Sequence, residues 1–224
     1  MRNGYTGSSL RRITLVLLGG LITLWNPQLL AAENKTGKEL VSEHCANCHK
    51  PNADGGLSRI SEARRTPEGW DMTVARMTLL HGTRLTAEER RAIVKYLADS
   101  AGLAPEEAQP WRYVIERRPE ATDFIENTLV GDTCARCHSY ARIGLQRRTE
   151  EDWLRLSHFH LGQFPTIELQ SNLRSVYWWK IASQEIPKIL GKHYPMNAEA
   201  WKKWQQRPKM NPSGSWRIVG HRPG

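Results

Sequence analysis

Two short stretches decide the fold: Cys45–His49 reads CANCH, and Cys134–His138 reads CARCH. Together they contain all four cysteines of the 224-residue chain. In the pattern C-x-x-C-H, both thiols attach a c-type haem covalently, and the histidine binds its iron from the proximal side. We therefore predict two covalently bound haem c groups. The predicted attachment and proximal residues are Cys45, Cys48, His49, Cys134, Cys137 and His138.

Paired cysteines have two other common roles. A single C-x-x-C is typical of thioredoxin-like redox proteins, and two such pairs can bind zinc. Zinc requires no histidine directly after each pair, and a redox pair need not occur twice, so the sequence favours haem. No residue arrangement for hydrolysis and no dinucleotide- or phosphate-binding loop is evident. We therefore expect one-electron transfer through iron and no catalytic residues on this chain.

The sequence after each motif is duplicated as well. Seven residues of the first segment recur in the second at a constant offset of 83 positions. The pairs are Arg59 and Arg142, Ile60 and Ile143, Arg64 and Arg147, Arg65 and Arg148, Thr66 and Thr149, Glu68 and Glu151, and Trp70 and Trp153. Such a repeat indicates tandem homologous modules. We predict a mainly α fold with two cytochrome c-like helical modules.

Each repeat continues into a predicted helix that offers a second iron ligand. Thr66 and Thr149 are suited to cap the helix N-termini. The position seven residues beyond each duplicated tryptophan lies on the same helix face, two turns on. That position is Met77 in the first repeat and His160 in the second. We predict His/Met ligation at the first haem and bis-His ligation at the second, which gives the second haem the lower potential.

Other side chains compete for these distal positions. Met72, His81 and His158 lie in the same predicted helices, but none has an equivalent in the other repeat that could bind iron. A methionine on an apolar helix face is also more often part of the core than a ligand. Met77 and His160 remain the prediction because both fall at the same position of the repeat. His81 and His158 remain the main alternatives.

The first 32 residues follow the pattern of an export signal. Arg11 and Arg12 precede the apolar stretch Ile13–Trp25, and Ala31 and Ala32 offer small residues to a peptidase. The apolar stretch is short for a membrane span, although an uncleaved anchor is the alternative. We expect a periplasmic protein that has no membrane contact after cleavage.

The charge of the chain does not indicate a nucleic-acid partner. Removal of the predicted signal takes away three arginines and no acid, which lowers the formal charge from +9 to +6. The remaining basic residues are scattered among acidic ones and form no run typical of a nucleic-acid-binding arm. We expect a mildly cationic, solvated surface.

The sequence also indicates where the segments and modules of the chain begin and end. We predict a signal peptide over 1–32, a first module over 33–101, a linker over 102–110, a second module over 111–205 and a short irregular tail over 206–224. Seven of the nine tryptophans lie from position 111 onward, which suits a core built around a large planar cofactor. The last segment is either a tail or the start of a missing β domain.

Several segments beyond the haem motifs resemble one known family. They cover most of residues 38–220. The segments are Arg65–Trp70, Arg76–Met77, Lys95–Ala98, Gly102–Pro105, Cys134–Ser139 and His158–Thr166. On these residues the chain resembles the alpha subunit of quinohemoprotein amine dehydrogenase, in the region of its N-terminal di-haem domain.

The resemblance implies a place in a periplasmic heterotrimer. In that family, amines are oxidised at a cysteine tryptophylquinone on a small gamma subunit, and a β-propeller subunit completes the complex. The alpha-subunit haems pass electrons to a soluble acceptor protein. The family's alpha subunit continues into β-rich domains, whereas this sequence ends at Gly224. We interpret the chain as a truncated reading frame, a split subunit or an independent cytochrome.

Three functions are compatible with these motifs. The leading one is a di-haem electron-transfer domain that serves an amine dehydrogenase. A free-standing di-haem cytochrome c with another redox partner would have the same sites, and neighbouring genes for the other two subunits would separate these two cases. A di-haem peroxidase needs one iron with an open distal position, and two filled distal positions argue against it.

Overall fold

The chain is mainly helical, as the sequence predicts. The computed structural model describes residues 35–114, 124–165, 167, 176–208, 211, 213–217 and 220. The predicted signal peptide lies outside these residues. The helices are α1 (Gly37–Cys45), α2 (Pro67–His81), α3 (Ala87–Ser100), α4 (Pro105–Ala108), α5 (Thr128–Cys134), α6 (Ala141–Gly144), α7 (Glu150–Gln163), α8 (Trp178–Gln184), α9 (Ile186–His193) and α10 (Glu199–Gln206). The strands are β1 (Ala63–Arg65) and β2 (Gln146–Arg148).

Helices α1, α2 and α3 surround a first hydrophobic cluster. Thr86 and Glu89 form a capping box at the start of α3, which fixes where this helix begins. Helices α1 and α3 cross closely at Gly37, where a Cβ atom would lie only 2.3 Å from the carbonyl oxygen of Ala92. The buried members of this cluster are Leu40, Val41, Ala63, Trp70, Val74, Ile93 and Leu97.

A second hydrophobic cluster forms where α7 and α9 pack together. Helix α9 packs against α7 much as α3 packs against α2. Trp153 is buried here, as the equivalent Trp70 is buried in the first cluster. Gly144 allows the ring of Trp111 to approach the backbone, since a Cβ atom would lie 2.3 Å from that ring. The buried members are Trp111, Val130, Tyr140, Ala141, Ile143, Trp153, Ile186, Leu190 and Tyr194.

Two three-residue strands join the repeats, and we did not predict them. Strand β1 pairs with β2 in an antiparallel ladder that places Arg64 opposite Arg147. These two residues are equivalent in the duplication, so the repeats meet about a local twofold axis, as identical subunits do in a symmetric dimer. The strands escaped prediction because short segments rich in arginine carry no strand pattern.

One buried carboxylate, that of Glu107 in α4, holds this junction. Nη1 and Nη2 of Arg64 each donate to a different Glu107 oxygen at 2.9 Å, and Nε of Arg147 donates to Oε1 at 3.1 Å. Burial alone would raise the pKa of Glu107, but hydrogen bonds from Arg64 and the Ala104 amide, with the charge of Arg147, hold it below its usual value. The carboxylate is therefore charged and connects both repeats.

Residues 102–110, predicted as a linker, are more structured than a spacer. Helix α4 and a turn of 3₁₀ helix fill this segment, and Glu107 and Ala108 are buried. Helix α10, which we assigned to the second module, packs against α4, and its Trp201 ring lies 4.9 Å from the guanidinium of Arg64. Composition could not reveal this arrangement because the partners of Glu107 come from distant parts of the chain.

The described residues after α10 form neither helix nor strand. Among the described helices, none is long and apolar enough to cross a membrane.

Two candidate haem sites

The first C-x-x-C-H motif starts at the last residue of α1. The helix ends at Cys45, and the amides of Cys48 and His49 donate to the Cys45 carbonyl at 3.2 and 2.9 Å. This tight turn places two thiols and an imidazole within one short loop. Cys45 is half-buried and Cys48 is exposed, and neither forms a disulfide. Both sulfur atoms are therefore free to bond to an added group.

The second motif repeats this arrangement at the end of α5. That helix ends at Cys134, which is half-buried, while Cys137 is exposed, and both are free thiols. Burial raises the pKa of Cys45, and it raises the pKa of Cys134 to about 12. Reactive thioredoxin-like cysteines have lowered pKa values instead. The environment of these thiols therefore disfavours the redox-pair alternative.

Both histidines predicted as proximal ligands are oriented by backbone carbonyls. Nδ1 of His49 lies 2.8 Å from the carbonyl oxygen of Ser58, and Nδ1 of His138 lies 3.0 Å from that of Ser139. A carbonyl oxygen only accepts, so in each ring the proton is on Nδ1 and the lone pair is on Nε2. Metal-binding histidines commonly have this arrangement, in which the second nitrogen donates to a carbonyl.

At the second site, α7 brings His160 opposite His138. The Oγ1 of Thr149 caps α7 by accepting from the Asp152 amide at 3.1 Å, as predicted for this threonine. Nδ1 of His160 lies 2.8 Å from the Leu156 carbonyl, which leaves its Nε2 free as well. Burial lowers the pKa of His138, and the nearby His160 lowers it further. Neutral imidazole is the form that binds metal.

The separation of these two rings fits a shared iron. The ring centres of His138 and His160 lie 6.3 Å apart. Two metal–nitrogen bonds of about 2 Å, with roughly 1 Å from each nitrogen to its ring centre, require about 6 Å. The donor types and their spacing therefore fit a bis-imidazole haem iron.

At the first site, Met77 is half-buried on α2, two turns beyond Trp70. The competing Met72 is 50% exposed on the same helix. At the second site, the structure brings the rings of the predicted axial pair, His138 and His160, close together.

The two competing histidines have other surroundings. His81 is exposed in the last turn of α2. His158 is exposed on α7, and its ring packs edge-on against Trp179 at 5.1 Å between ring centres. His44 is half-buried, with Nε2 3.6 Å from a carboxylate oxygen of Glu89. None of these contacts places a second imidazole opposite His49.

Sequence reasoning missed a group of arginines beside these sites. The guanidinium of Arg65 lies 5.2 Å from the centre of the Trp70 ring, and that of Arg148 lies 5.6 Å from the Trp153 ring. The two contacts are equivalent in the duplication, and both arginines are buried. The available signal was the Arg-Arg pair that recurs directly before each helix cap.

Protein side chains alone do not form a metal centre in the part of the chain that the structure describes. No group of three or more His, Cys, Asp or Glu side chains there converges as a metal site. A haem iron needs only two axial ligands from the protein, because the porphyrin supplies the other four nitrogens. The paired imidazoles of the second site suit that requirement.

The profile of one known family, described as quinohemoprotein amine dehydrogenase A, alpha subunit, haem binding, matches residues 35–201. The chain belongs to this family. No curated protein sequence matches the chain. Membership in the quinohemoprotein amine dehydrogenase alpha-subunit family identifies haem as the bound group and supports a role in electron transfer. An alpha subunit also implies that other subunits exist.

Proposed function

We propose that this chain is a periplasmic di-haem c protein that carries electrons from a quinone cofactor on a partner subunit to a soluble acceptor protein. The observation that carries the proposal is the duplicated site. Two C-x-x-C-H motifs each begin at the end of a helix, and each proximal imidazole has its Nδ1 on a backbone carbonyl. The family match adds that haem is the cofactor.

Each ligand residue has a distinct role in this proposal. Haem supplies a one-electron iron couple when it is bound. The four cysteines attach the two porphyrins, while His49 and His138 present Nε2 to iron. Met77 and His160 would supply the second protein ligand of each iron. Because imidazole stabilises ferric iron more than a thioether does, the second site has the lower potential.

The junction between the repeats supports a relay that needs no motion. Arg64, Arg147 and Glu107 form a buried ion-pair network, and β1 pairs with β2. Such contacts hold both sites on one compact unit, which includes all described residues. A fixed distance between two redox centres suits stepwise electron transfer.

The substrate-oxidising chemistry belongs to a partner in this account. A cysteine tryptophylquinone requires a cysteine, and all four cysteines of this chain lie in haem motifs. The quinone therefore resides on another chain. A di-haem peroxidase needs one iron with an open distal position, whereas in this proposal Met77 and His160 fill both. At the second site, the His160 ring centre lies 6.3 Å from that of His138.

The amine itself provides the test. The purified holoprotein, mixed with a primary amine, should stay oxidised in a stopped-flow spectrometer. Addition of the proposed quinone-bearing partner subunit should then reduce both haems. Rapid haem reduction by amine without a partner would contradict the proposal, and so would failure of the amine-reduced partner to reduce this chain. In the second case the free-standing cytochrome becomes the better description.

A further inference from the structure

Five arginines from the two repeats lie close together. They are Arg59, Arg65, Arg76, Arg142 and Arg148, called the arginine cluster below. The duplication relates four of them in two pairs, Arg59 with Arg142 and Arg65 with Arg148. The cluster therefore includes residues from both repeats.

Shared hydrogen-bond partners show how closely these cations approach one another. Oγ1 of Thr73 accepts from Nη1 of the buried Arg65 and, at 3.3 Å, from Nη2 of Arg76. In the strand ladder Arg65 lies opposite Gln146, whose side-chain oxygen accepts from Nε of Arg148 at 2.9 Å. The charges of Arg148 and Arg76 add to burial in lowering the pKa of Arg65.

Asp152 is the carboxylate that these arginines share. Arg148 donates to its Oδ2, and Nε of Arg59 lies 3.6 Å from its Oδ1. Among the described residues, no carboxylate lies within 4 Å of the remaining three members, Arg65, Arg76 and Arg142. The equivalent of Asp152 in the first repeat is Gly69, so the duplication has left Arg65 without the carboxylate that Arg148 has.

Two buried donors beside the cluster have no acceptor. Nε of Arg65 and Nε1 of Trp153 are both buried, and neither makes a hydrogen bond. Trp153 stacks under Arg148, so its free N–H belongs to the same region. Oδ1 of Asp152 is the one buried acceptor among the cluster's described contacts that also makes no hydrogen bond, and a single oxygen does not satisfy both donors. Buried N–H groups in folded proteins are almost always paired, so the two donors indicate that a further acceptor binds here.

The cluster also touches both haem sites. At the second site, the Ser139 carbonyl oxygen that lies 3.0 Å from Nδ1 of His138 also accepts from the Arg142 amide at 3.1 Å. At the first site, Arg59 directly follows Ser58, whose carbonyl oxygen lies 2.8 Å from Nδ1 of His49. A ligand held by the cluster is therefore adjacent to both sites.

We propose that the arginine cluster is a carboxylate-binding site for the propionate side chains of both haems. Propionate oxygens accept from the orphan N–H groups of Arg65 and Trp153, and they offset the charge of the unpaired arginines. Hydrogen bonds between two ionised partners are the strong kind. The inference rests on the proposed binding of haem at both motifs. The number of haems in each preparation is measured separately, so failure of haem binding can be distinguished from failure of the propionate contact.

The test compares an exposed cluster member with an exposed arginine elsewhere. Arg142→Gln removes a surface cation of the cluster, so the fold should survive. Arg91→Gln is the matched control, because Arg91 is exposed on α3 and pairs with Glu88. Arg65→Lys keeps the buried charge but removes Nε. Resonance Raman spectroscopy of the propionate bending modes and a spectroelectrochemical titration are the measurements.

We expect both haems to remain attached in all three proteins. Arg142→Gln should shift the propionate modes and lower the midpoint potential of at least one haem, since a lost cation favours ferric iron. Arg65→Lys should shift the modes with a smaller change in potential. If both variants retain two haems and match Arg91→Gln in modes and potentials, the propionates lie elsewhere and the proposal is wrong. In that case a carboxylate of a partner subunit becomes the candidate ligand.

Discussion

Three histidines share one arrangement that prepares them to bind iron. In His49, His138 and His160, Nδ1 lies 2.8 to 3.0 Å from a backbone carbonyl oxygen, so the lone pair is on Nε2. Such hydrogen bonds fix the ring orientation and raise the basicity of the ligand. The rings are therefore oriented by the fold itself, and iron binding requires little rearrangement.

Met77 is the residue whose substitution distinguishes the two haems. Met77→Ala should abolish the weak near-infrared sulfur-to-iron band of the oxidised protein, because the first haem loses its thioether. The potential of that haem should change as well. His160→Ala should leave the band intact and convert the second haem to a high-spin state. Absorption spectra of the two variants are the measurement.

Met72→Ala is the matched control for this prediction, since Met72 lies on the same helix and is half exposed. Its spectrum should equal that of the wild type. A band that survives in Met77→Ala but disappears in Met72→Ala would show that the repeat alignment misplaces the ligand.

Residue spacing is enough to select the candidate attachment cysteines and the candidate proximal histidines, because the residues of a haem-attachment motif lie next to one another in the sequence. It could also select His160, since the duplication and helix periodicity fix its position relative to Trp153. The arginine cluster could not be predicted in the same way. Its members come from five segments, and their closeness depends on how the repeats pack.

At the scale of the elements, caps were predictable and strand pairing was not. Thr66, Thr86 and Thr149 each accept a hydrogen bond from the amide three residues on, as local sequence indicates. Strands β1 and β2 each have three residues, and each forms its ladder hydrogen bonds with the other. A long-range pairing of this kind leaves no periodicity in either segment.

Glu107 of α4 is the residue on which this junction depends most. Glu107→Gln should lower the free energy of unfolding by about 3–5 kcal/mol, because two buried arginines lose their charged partner. Glu106→Gln is the control, as Glu106 is exposed and lies 3.8 Å from Arg207. It should change stability by less than about 0.5 kcal/mol. Guanidinium denaturation of the holoprotein measures both, and equal values for the two variants would contradict this role.

The lowered pKa of Glu107 also predicts a pH dependence. A carboxylate with a depressed folded-state pKa adds stability above its unfolded pKa of about 4.3, and this stability is lost as pH falls through the folded value. The wild type should therefore lose stability below about pH 4. Glu107→Gln should show a flatter profile over that range, whereas Glu106→Gln should follow the wild type.

For the molecule as a whole, the duplication explains both the fold and the proposed function. Equivalent residues pair between β1 and β2, and the equivalent tryptophans are buried in separate clusters. The two C-x-x-C-H motifs begin at the last residues of α1 and α5. Departures from this symmetry have consequences. The position that holds Met77 in the first repeat holds His160 in the second, which predicts different potentials for the two haems. The position of Asp152 in the second repeat is Gly69 in the first, so Arg65 has no carboxylate of its own.

The intact mass of the mature protein tests the central claim most directly. The protein is produced in a host that has haem-attachment machinery, and its mass is measured under denaturing conditions. The account predicts the polypeptide plus two haems, with one haem fewer in a variant that carries Cys134→Ser and Cys137→Ser. A mass equal to the polypeptide alone, or to a form with disulfides, would contradict the account.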